Sequence, residues 1–372
     1  MTRRIGVIGA GPAGLTVAAL LPSSYEVVVF EEHSRIGYPI HCTGIIGSFT
    51  ADFYRSLVGD RVFENRYVGA YIYTRKGFFT VSSDKPLVYR LNRPLLEEKL
   101  YDIVSRKGFN VLLGEKVEKV FFRNNSPCLE TRSSNYVFDY VVDGEGFSRR
   151  IACDLGCSGV DYVFGIQYLV HIERIDPSYF HVIFTDKTPF LPIWVVPVDY
   201  DKALMGYGYK HGSLKYDYLV KIAQKHLRVG IGGFTRVFGG PIPIGRPCYP
   251  IRYGRVYLIG DAVPFTKPFS GGGLYGIAFL TPYLVKSIVR GDPTYYHRAF
   301  QNGSRRVGMQ LLAREFSIRL GGLYVAVEYL RKIHRLGLKI TLEDYDRHEK
   351  ILIRSLPLLI TTFPLILSNT QK

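Results

Sequence analysis

Short apolar runs separated by glycines open the chain. Ile5-Gly6-Val7-Ile8 leads into Gly9-Ala10-Gly11-Pro12-Ala13-Gly14, then Leu15-Thr16-Val17-Ala18-Ala19-Leu20-Leu21; a second run, Val27-Val28-Val29-Phe30, ends in Glu31-Glu32. Brief uninterrupted apolar runs suit buried strands, and the longer run after the glycines suits a helix, so the pattern predicts strand, glycine turn, helix, strand. The same pattern returns in Tyr140-Val141-Val142-Asp143-Gly144 and in Val256-Tyr257-Leu258-Ile259-Gly260-Asp261, the latter followed by an apolar helix from Tyr275 to Val289. Arg93 to Lys107 reads as a helix and Val111 to Phe122 as strands. In the middle of the chain, Tyr179 to Phe184 and Trp194 to Val198 alternate aromatic with β-branched residues, which predicts an antiparallel sheet, with a short helix from Asp217 to Leu227 lying on it. Residues 296–372 read as helices.

Composition narrows the function classes. The chain has 372 residues, 47% of them hydrophobic and 22% charged, enough for two or three folded domains. No run of 18 apolar residues is present, so no conventional membrane span is expected. The net charge of +16 favours anionic partners. Nucleic acid is not expected, because no basic run, zinc spacing or RNA-binding aromatic signature accompanies the charge. Five scattered cysteines, Cys42, Cys128, Cys153, Cys157 and Cys248, do not read as a secreted disulfide framework. The strand pattern starts directly after Met1-Thr2-Arg3-Arg4, so a cytoplasmic protein is expected.

The first thirty residues form a dinucleotide fingerprint in its required context. Gly9 permits the tight turn, Gly11 lets the backbone approach a pyrophosphate, and Gly14 lets the helix pack close to the strand. Pro12 and Ala13 open that helix, whose free N–H groups and positive dipole end face the phosphates. Glu31, directly after the second strand, is placed to accept from ribose hydroxyls, with Glu32 beside it. The fingerprint alone does not separate NAD from FAD. The later segments do: a carboxylate at a strand end, Gly260-Asp261, beside a glycine-rich helix start, Gly271-Gly272-Gly273-Leu274, suits a hydroxylated chain joined to a phosphate.

These motifs, in this order, resemble the FAD-dependent group that includes p-hydroxybenzoate hydroxylase-type monooxygenases and geranylgeranyl reductases. The resemblance spans roughly residues 5 to 290. It implies FAD as cofactor, with Asp261 on the ribityl chain, Asp143 and Gly144 near the nucleotide, and Arg93, in Asn92-Arg93-Pro94-Leu95-Leu96-Glu97, contacting FAD. Four segments resemble the geranylgeranyl reductase branch. Gly37-Tyr38-Pro39-Ile40-His41-Cys42-Thr43-Gly44 is similar to its Gly-x-Pro-x-x-Cys-x-Gly segment. Pro192-Ile193-Trp194-Val195-Val196-Pro197 is similar to its aromatic-x-Trp-x-Phe-Pro strand, with Pro192 and Val196 replacing two aromatic residues. Pro268 with Gly271–Gly273 matches its segment beside the flavin ring, and Pro241-Ile242-Pro243-Ile244-Gly245 precedes the Gly-Asp strand as it does there.

The resemblance implies an α/β (α+β overall) architecture: a Rossmann-like FAD-binding domain (1–50, 85–150 and 241–295), an antiparallel-sheet substrate-binding domain (51–84 and 151–240) and a C-terminal helical region (296–372). It also implies an activity, saturation of C=C bonds in geranylgeranyl chains of membrane lipids or their precursors. Cys42 and His41 are then the catalytic candidates, and Trp194, Pro197 and Pro268 the substrate-binding ones. Two readings share the FAD motifs: an aromatic monooxygenase and an electron carrier to quinone. With no second fingerprint in the sequence, electrons would come from NADPH, a reduced deazaflavin or ferredoxin. Cys153 and Cys157 would face each other if helical, but no further ligands accompany them, so no metal site is expected. Between Arg298 and Arg354 there are 12 Lys/Arg against 6 Asp/Glu, and Ser355 to Gln371 carries no charge, a combination that suits the inner face of an anionic membrane.

Overall fold

The computed structural model describes residues 2–157 and 159–355. The reading placed on the apolar tail, residues 356–372, lies outside the described residues. The chain forms two compact units, each discontinuous in sequence: residues 1–64, 90–162 and 239–308 in the first, and 65–89, 163–238 and 309 onward in the second. These limits differ from the expected ones at several places. Residues 51–64, with most of the helix Ser48–Val58, and residues 151–162 belong to the first unit, residues 85–89 to the second, and the long helix Thr294–Arg319 contributes to both units instead of starting a separate region.

The first unit is built on a six-stranded sheet in the order Arg252–Tyr253, Val256–Leu258, Tyr140–Asp143, Arg4–Ile8, Glu26–Glu31, Asn110–Leu113. All pairings are parallel except that of the edge strand Arg252–Tyr253. The register decides the function of this sheet. Ile8 lies beside both Asp143 and Phe30, and Asp143 beside Leu258. Consequently Gly9, Gly144, Glu31 and the Ile259-Gly260-Asp261 turn all leave the sheet at one level, at the carboxyl ends of its central strands. In open parallel sheets this is where ligands bind. The helix Pro12–Leu20 is buried from Ala13 to Ala19, as its nearly all-apolar sequence requires. It packs against the helices Arg93–Arg106 and Leu274–Arg290.

The second unit carries a seven-stranded sheet in the order Ile231–Pro243, Tyr162–Ile172, Lys202–Tyr209, Leu191–Pro197, Tyr179–Ile183, Gly69–Thr74, Gly77–Ser82. Its central pairings are antiparallel, with one parallel pair between Tyr179–Ile183 and Gly69–Thr74. The helix Tyr216–Leu227 buries Leu219 and Ala223 against one face, in a core that includes Ile193, Val195, Met205 and Tyr207. Strand alternation puts Trp194 on the other face. The α/β architecture with an antiparallel sheet and C-terminal helices is thus borne out.

One polar group sits inside that apolar core. His181 is stacked against Tyr71 and Tyr73, shares a hydrogen bond of 3.1 Å between its Nδ1 and the Tyr73 hydroxyl, and its Nε2 is buried without a partner. Burial pushes the His181 imidazole down to about 4. The unfolded chain therefore binds one more proton than the folded unit between that value and the ordinary value of about 6.5. Stability is complete above pH 6.5 and falls as the pH drops toward 4, by about 3 kcal/mol in all. Urea unfolding at pH 7 and pH 4.5 should show this loss, and His181→Phe, which keeps a stacking ring, should remove its share of the slope.

Candidate functional site

The glycine turn of the first unit is shaped by what a side chain would strike. Gly9 has φ +86°, and a Cβ there would lie 2.5 Å from the Gly144 carbonyl oxygen. A Cβ on Gly14 would come within 1.9 Å of the Gly9 carbonyl oxygen, so helix and strand approach as closely as they do only because position 14 is glycine. Gly11 is the opposite case: a Cβ would meet nothing within 4 Å, so its backbone borders open space at the helix start. That is the place an incoming phosphate needs. Glu31 closes the far side, with Oε2 accepting the Ala10 N–H at 2.7 Å and Oε1 the His33 N–H at 2.9 Å. Glu32 instead pairs with Lys116 and takes no part in the turn.

Two carboxylates stand at the neighbouring strand ends. Asp143 is fully buried; its Oδ1 accepts the Glu145 N–H at 3.0 Å, while Oδ2 has no partner. Burial, with the adjacent Glu145, drives the Asp143 carboxyl well above the usual range. Asp261 lies in the turn Gly260–Ala262, and a Cβ on Gly273 would sit 3.3 Å from its Oδ1 and 3.8 Å from the Thr266 hydroxyl. Burial raises the Asp261 carboxyl also, opposed by Arg93 and Arg149. The Thr266 hydroxyl is likewise buried without a partner. An open glycine backbone at a helix N-terminus, two partnerless buried polar atoms and a carboxylate against a glycine turn fit a dinucleotide with a hydroxylated chain.

Sequence reasoning missed Arg149. This buried residue adopts a left-handed backbone (φ 49°) and donates to the carbonyls of Cys157 (2.6 Å) and Ala262 (3.3 Å). It thereby ties the Gly-Asp turn to the segment after Asp143. Flanked by Ser148 and Arg150, it carries no local signal that separates it from a solvated arginine.

The third element is the Gly37–Gly44 loop. A Cβ on Gly37 would lie 2.8 Å from Pro94 Cα, and one on Gly44 would lie 2.1 Å from the Leu91 carbonyl oxygen. The His41 Nδ1 sits 2.9 Å from the Gly239 carbonyl oxygen. The loop is therefore anchored at three points. Cys42 is exposed on it, its sulfur accepting the Gly44 N–H at 3.3 Å. Arg93, next to the Pro94 anchor, donates to Glu97 through Nε (3.1 Å) and Nη2 (2.6 Å). Burial works against the Arg93 charge, but Glu97, Cys42 and Tyr54 hold it firmly protonated. Glu97, buried one turn along the same helix, is pushed up by that burial and pulled back by Arg93. Arg93, Cys42, Glu97 and Asp261 thus interact as one electrostatic neighbourhood.

Of the expected site residues, Gly9 to Gly14, Glu31, His41, Cys42, Gly44, Arg93, Asp143, Gly144, Gly260, Asp261, Pro268 and Gly271–Leu274 lie in the first unit, and Trp194 and Pro197 in the second. Gly206, aligned with Trp194 across the strand pair, makes room for the indole: a Cβ there would lie 2.6 Å from Trp194 Cζ2. The indole N–H is buried without a partner. One disulfide escapes sequence reading. Cys157 pairs with Cys248, 91 residues away, because the fold brings their Cα atoms to 5.5 Å, a proximity that local spacing cannot show. Among the described residues no cluster of three or more His, Cys, Asp or Glu side chains is placed to hold a metal ion.

Fold and cradle together define the class: a Rossmann-like α/β fold with a dinucleotide cradle, an architecture shared with flavin-dependent enzymes. Residues 7–57 match the family of NAD(P)-binding Rossmann-like domains. Over 294 residues the chain is 25% identical to the digeranylgeranylglycerophospholipid reductase of Thermoplasma acidophilum, a match covering 72% of this chain and 73% of the relative. The crystal structure of a geranylgeranyl bacteriochlorophyll reductase-like protein from the same organism superposes with a TM-score of 0.80 at 19% identity, over 98% of this chain and 99% of that one. A flavin-dependent monooxygenase crystallised with FAD and substrate superposes with a TM-score of 0.65 at 16% identity, over 94% and 70% of the two chains. The resemblance carried by the motifs, to the geranylgeranyl reductase group, is borne out. No described helix is long and apolar enough to cross a membrane.

Proposed function

We propose that this protein is an FAD-dependent reductase that saturates isolated C=C bonds in geranylgeranyl or related polyprenyl chains of membrane lipids or their precursors. The observation that carries the reading is the anchored Gly37–Gly44 loop, which presents the Cys42 thiol beside Arg93 and the dinucleotide cradle. Similarity to digeranylgeranylglycerophospholipid reductases over most of the chain supports the choice of substrate.

In this reading Glu31 takes the ribose hydroxyls, and the backbone from Gly11 into the helix Pro12–Leu20 takes the pyrophosphate. Asp261 accepts from the ribityl hydroxyls, Arg93 contacts the cofactor with Glu97 fixing its direction, and the Gly271–Gly273 backbone borders the ring. When reduced, the flavin supplies the hydride that one alkene carbon receives. The Cys42 thiol gives a proton to the other carbon, and its exposed position lets solvent return that proton. His41 holds the loop through the Gly239 carbonyl. Trp194 and Pro268 supply apolar surface to the prenyl chain; Pro197, buried and on the opposite side of its strand from Trp194, supports the strand instead, its carbonyl accepting the Tyr67 hydroxyl at 2.6 Å. The reductant is NADPH, a reduced deazaflavin or ferredoxin.

The experiment is a single turnover under argon, mixing dithionite-reduced protein with a geranylgeranyl lipid. Flavin absorbance should recover as lipid is consumed. Cys42→Ser should keep its flavin and recover about a hundredfold more slowly, the usual scale for loss of a positioned proton donor. Flavin that stays reduced until oxygen is admitted would replace this reading with that of an oxygen-using monooxygenase.

A further inference from the structure

Over its last three turns the helix Thr294–Arg319 mixes polar groups into its buried face, beside Leu311, and exposes large apolar ones. Its buried side chains there include polar ones: Gln310, Arg314 and Ser317. Gln310 donates to Glu349 Oε2 at 2.9 Å, Arg314 to the Phe190 carbonyl at 2.9 Å, and Ser317 to the Ala313 carbonyl at 2.8 Å. Four large apolar side chains face out: Met309 is 41% exposed, Leu312 61%, Phe316 64% and, just past the helix end, Leu320 54%. Spacings of three and four residues place them in one stripe. A helix that buries hydrogen-bonding groups while wetting a phenyl ring and two leucines presents a surface that calls for a partner.

The charge on the same helix selects the partner. Arg298, Arg305 and Arg319 are exposed, and Glu315 is the helix's sole carboxylate. Arg305 and Arg319, at the spacing of the stripe, stand at its two ends. A second copy docking through this face would set arginines against arginines. A lipid surface with anionic headgroups offers acyl chains to the stripe and phosphates to the arginines.

We propose that the Met309-Leu312-Phe316-Leu320 stripe, framed by Arg305 and Arg319, seats the protein on an anionic lipid bilayer. The proposal does not depend on the catalytic reading, since it rests on the helix alone.

The test is co-sedimentation of the full-length protein with vesicles of phosphatidylglycerol and phosphatidylcholine, without substrate or reductant. Wild-type protein should sediment with the mixed vesicles, less so with pure phosphatidylcholine. Leu312→Ser/Phe316→Ser leaves the net charge untouched, so attraction to a generally basic surface would persist, yet partitioning should fall on the order of tenfold or more. Arg305→Gln/Arg319→Gln should weaken binding and flatten its salt dependence. Circular dichroism and thermal midpoint should be unchanged in both variants, because the altered side chains are exposed. Three results would each overturn the proposal: no sedimentation of the wild type; sedimentation unchanged in the serine variant; or a dimer that the serine variant dissociates.

Discussion

Gly14→Ala is expected to yield protein that purifies without flavin and unfolds with about 3 kcal/mol less free energy than the parent. The added methyl would stand 1.9 Å from the Gly9 carbonyl oxygen and 3.1 Å from Val7 Cγ1. Both obstacles belong to a buried strand and its turn, so neither can swing aside. Relief requires the helix Pro12–Leu20 to draw back by more than an ångström. That shift separates its N-terminal N–H groups from the phosphate position and loosens its packing against the helices Arg93–Arg106 and Leu274–Arg290. Cofactor and stability should therefore fall together. Absorbance spectra and urea unfolding of the purified variant measure the two effects, and a variant that retains flavin would show that helix and turn are not held at this spacing.

Asp261→Ala should part the same two quantities. Its carboxylate is unfavourable in the free protein, since burial raises it against the opposing charges of Arg93 and Arg149. With a hydroxylated chain in place it accepts charge-assisted hydrogen bonds, each worth about 1.5–3 kcal/mol. Two such bonds lost correspond to flavin affinity at least about a hundredfold weaker. The apoprotein should be no less stable than the parent, as is common where a site keeps a group for binding and not for folding. Asp261→Asn, which preserves one acceptor oxygen, should fall between. Equilibrium titration of apoprotein with FAD, beside thermal unfolding of the apo forms, separates this outcome from general misfolding.

What could be read from the sequence follows from how local each signal is. The turn from Gly9 to Gly14, Glu31, Asp143-Gly144 and Gly260-Asp261 are each written within a few residues of a strand end, and the parallel register needs only those ends to assemble them. The strand alternation around Trp194 was equally local. Glu97 was visible as part of the Arg93 segment, but its buried pairing with Arg93 needs the packed helix. Arg149 reaches Ala262 across 113 positions, and Cys157 meets Cys248 across 91; no periodicity marks either. His181 resembles an ordinary strand residue until the stacked Tyr71 and Tyr73 and the covering helix Tyr216–Leu227 show the cost of placing an imidazole there. The outward apolar stripe of the helix Thr294–Arg319 was unreadable for a related reason. Apolar residues at helical spacing ordinarily point inward, and here the polar ones have found buried partners instead.

The central claim is that lipid chains gain hydrogen at this site. Protein reduced under argon, mixed with a geranylgeranyl lipid and analysed by mass spectrometry, tests it most directly. The account predicts a product heavier by about two mass units for each double bond saturated. A lipid of unchanged mass beside protein with a normal flavin spectrum would contradict it.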